Sequence, residues 1–210
     1  MARNLDPKCK QCRRLGEKLF LKGERCFSNK CTFIKKNYPP GLHGQKTKVR
    51  KMTGFAQQLR EKQKAKKIFG ILEKQFHNYY KKAKMMKGNT AQNLLQLLNL
   101  RFDNIIFKGG LAPSRQSARL LISHGHFQID GQNVNIPSYQ LKPGQQITIK
   151  DKVKNKKYWQ ELLPHLIKKE RPNWLDYDEK NLSLKVLNKP TEKDLENIFD
   201  PTLIIEYYSK

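Results

Sequence analysis

Acidic side chains are scarce in this chain. Only 18 Asp and Glu stand against 43 Lys and Arg, giving a formal charge of +25 over 210 residues. Hydrophobic residues reach 37%, which is low for a compact enzyme of this length. No apolar run is long enough to span a bilayer, and none at the N-terminus has signal-peptide length. The expectation is a cytosolic protein, or one of an equivalent organellar compartment. Neither a Walker pattern nor GxGxxG occurs, so the usual nucleotide-binding loops are missing. There is no internal repeat and no nucleophile–base pairing. Cysteine is absent from residue 32 onward.

The positive charge is unevenly spread. Residues 1–88 hold 25 Lys and Arg against 5 Asp and Glu, a balance of +20; residues 89–210 hold 18 against 13, a balance of +5. Such a surface repels itself unless a polyanion neutralises it. Nucleic acid fits, because each neutralised phosphate releases counterions. An anionic membrane is the rival, but the basic stretches are too polar for an interfacial helix with a broad apolar face. No membrane partner is expected.

All four cysteines lie in the first 31 residues, as Cys9-x2-Cys12, a spacer of 13, and Cys26-x4-Cys31. Two close pairs can clasp one ion, and four thiolates suit a tetrahedral Zn²⁺. Lys8, Lys10, Arg13, Arg14 and Lys30 would offset the negative charge. One structural Zn²⁺ is expected, since four Cys ligands leave no open position for water. An iron–sulfur cluster takes the same ligands, and two disulfides are the remaining alternative.

Residues 32–53 read as an irregular basic loop, broken at Pro39-Pro40-Gly41 and carrying Lys46, Lys48, Arg50 and Lys51. Residues 54–87 read as helix, with Gly70 marking a joint and Phe69 and Phe76 in the core. Arg60, Lys62, Lys64, Lys66 and Lys67 are expected to meet phosphates. Asn89 or Thr90 caps a further helix. Gln146–Ile149 reads as a strand, Lys150–Lys157 as a second phosphate-facing patch, and 158–169 as a short helix. Trp174 is a packing anchor, Leu182, Leu184 and Val186 alternate as in a strand, and 203–208 reads as a final strand.

Residues 101–139 carry the most information. Ser114 is a good helix N-cap. Ala118, Leu121 and Ile122 share one helical face, while Arg115 and Arg119, four apart, project together from another. Gly125 stops the helix. His126-Phe127-Gln128-Ile129 alternates, and Asp130-Gly131 signals a type I′ hairpin turn. This unit, with Ser114-Arg115-x-x-Ala118-Arg119 and His124-Gly125-His126, resembles a small RNA-binding module found in a ribosomal protein, in pseudouridine synthases and in tyrosyl-tRNA synthetases. A rigid basic face suits the backbone geometry and 2′-hydroxyls of structured RNA. Lys108, Ser114, Arg115, Arg119, His124 and His126 are its expected contacts. Replacing Arg115 and Arg119 by Ala is expected to weaken RNA binding without unfolding.

The likeness extends nearly end to end, to bacterial ribosomal protein four of the small subunit. It is carried by the four-cysteine segment, Tyr38-Pro39-Pro40-Gly41, His43-Gly44-Gln45, Gln58-Leu59-Arg60-Glu61-Lys62-Gln63-Lys64, Leu72-Glu73-Lys74-Gln75-Phe76, Arg101-Phe102-Asp103-Asn104, Trp174-Leu175 and Ile204-Ile205-Glu206-Tyr207-Tyr208-Ser209-Lys210. Leu42 replaces the usual Gln, and Lys often replaces Arg, which keeps the charge but loses the bidentate fork.

The resemblance implies an α+β protein: a helical N-terminal domain with a four-Cys zinc knuckle, a small αα-β-hairpin RNA-binding domain and C-terminal strands. The expected divisions are 1–45, 46–98, 99–160 and 161–210. It implies a non-enzymatic component of the small ribosomal subunit, in the cytoplasm, without homo-oligomers. It would bind the 5′ domain of small-subunit rRNA early in assembly, beside ribosomal proteins three and five. It would sit near the channel by which mRNA enters and influence translational accuracy. A pseudouridine synthase using the same module would need a catalytic domain that residues 151–210 are too short to supply. A zinc-containing DNA-binding regulator would need a recognition helix, and none stands out.

Overall fold

The computed structural model describes residues 4–46, 51–166, 171–178, 181–191 and 198–209. In chain order these carry helices α1 (Lys8–Leu15), α2 (Thr32–Lys35), α3 (Gly54–Phe69), α4 (Glu73–Met85), α5 (Thr90–Asn99), α6 (Phe102–Lys108) and α7 (Arg115–Ser123). Strands β1 (Phe127–Ile129), β2 (Gln132–Asn133) and β3 (Gln146–Ile149) follow, then α8 (Asp151–Lys154), α9 (Lys157–Leu166), β4 (Leu175–Asp178), β5 (Ser183–Val186) and α10 (Pro201–Tyr208). The chain divides into two compact units. One comprises residues 1–94 with 197–210, and the other residues 95–196.

In the first unit the helix boundaries follow local chemistry. The Thr53 hydroxyl accepts from the Ala56 N–H at 3.3 Å to start α3. Gly70, at φ 60°, takes the left-handed conformation that ends it. Phe69, Phe76, Tyr79, Tyr80 and Ala83 are all buried. The Asn89 side chain accepts from the Ala91 N–H at 2.9 Å, at the start of α5.

The last segment overturns an expectation: residues 201–208 form a helix, not a strand. The β-branched and aromatic run Leu203-Ile204-Ile205 and Tyr207-Tyr208 favours a strand by propensity. The start decides otherwise. Asp200 accepts from the Thr202 N–H at 2.8 Å, and Pro201 occupies the first turn, where its missing N–H costs nothing. Helical spacing then lets α10 pack along α3. Tyr208 stacks on Tyr80 (4.8 Å between centroids), Tyr207 meets Phe55 (5.7 Å), and Phe199 meets Phe69 edge-on (6.2 Å).

The second unit holds an antiparallel five-stranded sheet in the order β2-β1-β3-β5-β4. Strand β4 and helix α8 are additions to the sequence reading. Phe127 pairs with Ile149 and Ile129 with Ile147, so alternate residues face one core. That core includes Phe102, Ile105, Ile106, Ala118, Ile122, Trp159, Trp174 and Leu184. Ile129 faces Gln132 across a two-residue turn in which Asp130 (φ 48°) and Gly131 (φ 78°) are both left-handed, as a type I′ turn requires.

Candidate nucleic-acid interface

In the second unit the helix α7 begins where expected: the Ser114 hydroxyl accepts from the Ser117 N–H at 3.2 Å. The two arginines on this helix are anchored by neighbouring polar groups. Arg115 Nε donates to Asn104 Oδ1 at 2.8 Å, and its guanidinium lies 4.6 Å from the Phe107 ring centroid. Arg119 Nε meets Asp103 Oδ2 at 2.6 Å. Asp103 is 1% exposed and is also held by Arg101, at 3.0 Å and 2.8 Å. A carboxylate so deeply buried needs such pairing. Both α7 guanidiniums are therefore fixed by second groups while remaining partly exposed. Arg119 also supports a buried charge, so its removal carries a cost in stability beside any loss of RNA binding.

Lys108, another of the expected contacts, is 7% exposed. His124 is exposed. His126 is half-buried, and its Nδ1 accepts from Trp159 Nε1 at 3.1 Å. Burial lowers its pKa below the ordinary 6.5, and the neighbouring charges of Lys156, His124 and Lys150 lower it further. Lys152, Lys156 and Lys157 around it are exposed.

In the first unit the middle of α3 differs from its sequence reading. Lys62 and Lys64 are 5% and 8% exposed. Lys62 Nζ meets Glu73 at 3.0 Å and lies 4.2 Å from the Tyr207 centroid. Lys64 Nζ meets Glu17 at 2.6 Å and Glu61 at 3.8 Å. These ammoniums are committed inside the unit, as a buried charge must be. Lys66 meets Glu73 at 2.5 Å. Arg60 donates to the Leu15 carbonyl at 2.5 Å and to Glu17 at 3.3 Å. Lys67 is half-buried. Burial lowers its pKa, as do the charges of Arg14 and Lys66. Lys46 and Lys51 are exposed, whereas Lys48 and Arg50 lie outside the described residues.

The solvent-facing charge sits elsewhere than on α3. Lys74, Lys81, Lys82 and Lys84 of α4, and Lys87 after it, are all exposed, while Phe76, Tyr79, Tyr80 and Ala83 of the same helix are buried. Sequence reasoning passed over this face by attending to the aromatics. The signal was there in Lys81-Lys82-x-Lys84, whose positions avoid the buried stripe. Helix α1 and the following loop add Lys10, Arg14, Lys22, Arg25 and Lys30, also exposed. Arg13 fixes the Tyr38-Pro39 loop through bonds to the Tyr38 and Pro39 carbonyls at 2.9 and 3.2 Å.

The four cysteines are free thiols, with Cys12 and Cys31 buried. Among the described residues no group of three or more His, Cys, Asp and Glu is arranged to hold a metal. The thiols nonetheless share one neighbourhood. Burial raises the Cys12 pKa, and charges on Cys26, Cys9 and Cys31 would each raise it further, against a backbone hydrogen bond from Leu19. The Lys22 N–H points at Cys26 Sγ at 3.4 Å. Four thiols are the donor set that a tetrathiolate ion site takes, and Cys12 feels the other three, although they are not gathered into a metal-holding group here. No described helix is long and apolar enough to cross a membrane.

Comparison with known proteins agrees with this arrangement. Residues 3–99 match the family "Ribosomal protein S4/S9 N-terminal domain", and residues 100–147 match "S4 domain". The chain is 47% identical to "Small ribosomal subunit protein uS4" of Caldicellulosiruptor saccharolyticus over 210 residues, covering all of both chains. It is 46% identical to the protein of that name from Nitrosospira multiformis, again over the full length of both. Clostridium novyi "Small ribosomal subunit protein uS4A" is 45% identical over the same span. The chain belongs to the small ribosomal subunit protein uS4 family.

Proposed function

We propose that this chain is a structural component of the small ribosomal subunit that works by binding small-subunit rRNA and performs no catalysis. The observation that carries this reading is full-length identity of 45 to 47% to proteins of that name. The exposed lysines of α4 and the anchored arginines of α7 give it a physical basis. Closely spaced cations neutralise phosphates where RNA helices converge, and fixed guanidiniums read backbone shape. In cells the protein resides in the cytoplasm, in the small subunit.

The finer reading is that the RNA partner is the 5′ domain, bound early in assembly. Ribosomal proteins three and five are its neighbours, near the channel by which mRNA enters, where it influences accuracy. Lys46, Lys48, Arg50, Lys51, Arg115, Arg119, His124 and His126 serve this binding, joined by the α4 lysines. Cys9, Cys12, Cys26 and Cys31 hold one Zn²⁺. Bound there, the ion cross-links a segment with few apolar residues and supplies part of its folding energy. Elemental analysis should find one zinc per chain, lost when the cysteines are changed to Ser.

Sedimentation through a sucrose gradient tests the central reading. The tagged chain should travel with small subunits and full ribosomes. A chain found only at the top of the gradient would contradict it.

A further inference from the structure

Phe20 and Phe27 form an exposed pair of parallel rings between α1 and α2. Their centroids are 4.9 Å apart and their planes 26° from parallel. Phe20 is 40% exposed and Phe27 76%. Phe20 covers one face of Phe27 and leaves the other open to solvent. Large apolar rings facing water together are unusual unless something binds them.

The backbone points the same way. Phe20 sits at φ 50°, in the left-handed region where a bulky residue is an outlier. Gly16 and Gly23 of the same segment are also left-handed, and there the chain uses glycine. At position 20 it keeps a ring. Strain of this kind persists where the surroundings enforce it, often at binding sites. Leu19 and Gly23 on either side are buried, so the loop that presents the ring is anchored. The Phe27 N–H closes a turn onto the Glu24 carbonyl at 3.0 Å.

Cations flank the pair in the sequence. Lys22, Arg25 and Lys30 are exposed, Lys18 is half-buried, and Glu24 is the lone acidic residue between positions 18 and 30. Two rings are too small a patch for a stable protein interface. An unpaired nucleotide matches both features: its base stacks on an aromatic face, and its flanking phosphates meet the cations.

We propose that Phe20 and Phe27 form a stacking platform for one unpaired base of the RNA this chain binds. The platform rests on the rRNA-binding reading above. Phe27 receives the base on its open face, and Phe20 stiffens it from behind.

The test is binding of the full chain to a transcript of the small-subunit rRNA 5′ domain, with chemical probing of the bound RNA. Phe27→Ala and Phe27→Leu should each weaken binding about tenfold, the effect expected for loss of one stacked base. Phe27→Tyr should retain affinity. The salt slope should stay constant, because the same phosphates remain neutralised. One unpaired nucleotide should be protected by the parent and by Phe27→Tyr, and exposed with Phe27→Leu. If Phe27→Ala fails to fold, Phe27→Leu with an unchanged melting temperature decides. Parental affinity and protection with Phe27→Leu would overturn the platform alone. A parent that fails to prefer the 5′ domain over duplex RNA would overturn the underlying reading as well.

Discussion

The Tyr208 hydroxyl donates to Glu73 Oε1 at 2.6 Å, joining positions 135 residues apart. This bond helps fasten α10 to the first unit, together with Gln58 Nε2 on Glu206 at 2.8 Å. Burial acts to raise the Glu73 pKa, but hydrogen bonds from Lys66, Tyr208 and Lys62 overcome it and hold the carboxyl at about 2. Burial and then the bond to Glu73 raise the Tyr208 pKa above its ordinary 10.

Tyr208→Phe should therefore destabilise the protein. A hydrogen bond to a charged group contributes about 1.5–3 kcal/mol. The Glu73 side chain is 46% exposed, so solvent screening reduces this to about 1 kcal/mol. A urea midpoint at pH 7 measures it. The Glu73 contribution is present above the ordinary carboxyl value of 4.5 and lost as pH falls through about 2. The gap between parent and variant should close across that window.

Arg101 and Arg119 hold Asp103 between them. Arg101→Met removes the more buried partner and should cost about 3–5 kcal/mol, as stranding a buried carboxylate does. Arg119→Ala should cost less, about 1.5 kcal/mol, because Arg101 remains. Chemical denaturation separates the two. The variant lacking both Arg115 and Arg119 should lose stability as well as RNA affinity, so its affinity must be read at a temperature where it stays folded.

Gly109 leaves no room for a side chain. A Cβ there would lie 2.4 Å from Leu184 Cδ2 and 3.0 Å from the Ile105 carbonyl oxygen. Gly109→Ala should destabilise by about 1–3 kcal/mol, the range for overpacking. Gly131→Ala, at an open turn position, meets no such atoms and pays only for its left-handed φ of 78°. A larger melting-temperature loss at position 131 than at 109 would contradict this.

His126 accepts from Trp159, and burial keeps its pKa low. Protonation takes away the acceptor lone pair. A group whose folded pKa is depressed loses its contribution as pH falls, so stability should decline below the ordinary 6.5. Tryptophan fluorescence should change with a midpoint below 6.5, and His126→Phe should abolish the transition.

Local signals were legible where one residue type forces one conformation. Ser114 capped α7, Gly70 separated α3 from α4, and Asp130-Gly131 turned the hairpin. In α10 strand propensity points the wrong way, because the capping chemistry of Asp200-Pro201 wins. Lys62, Lys64 and Lys108 are buried, a placement that charge alone does not reveal. One partner of Lys64, Glu17, lies far away in sequence, just after α1. The exposed α4 lysines follow from the buried stripe Phe76, Tyr79, Tyr80 and Ala83, once that stripe is placed on one helix.

Equilibrium binding to the 5′ domain of small-subunit rRNA, against duplex RNA of equal length and across a salt series, tests the account most directly. Tight binding that prefers the rRNA domain at moderate salt is expected. Replacing Lys81, Lys82 and Lys84 by Gln should lower the salt slope by about one for each phosphate no longer neutralised, while Lys64→Met should leave the slope unchanged. Equal binding to both RNAs that collapses steeply with salt, or a slope untouched by the α4 replacements, would contradict it.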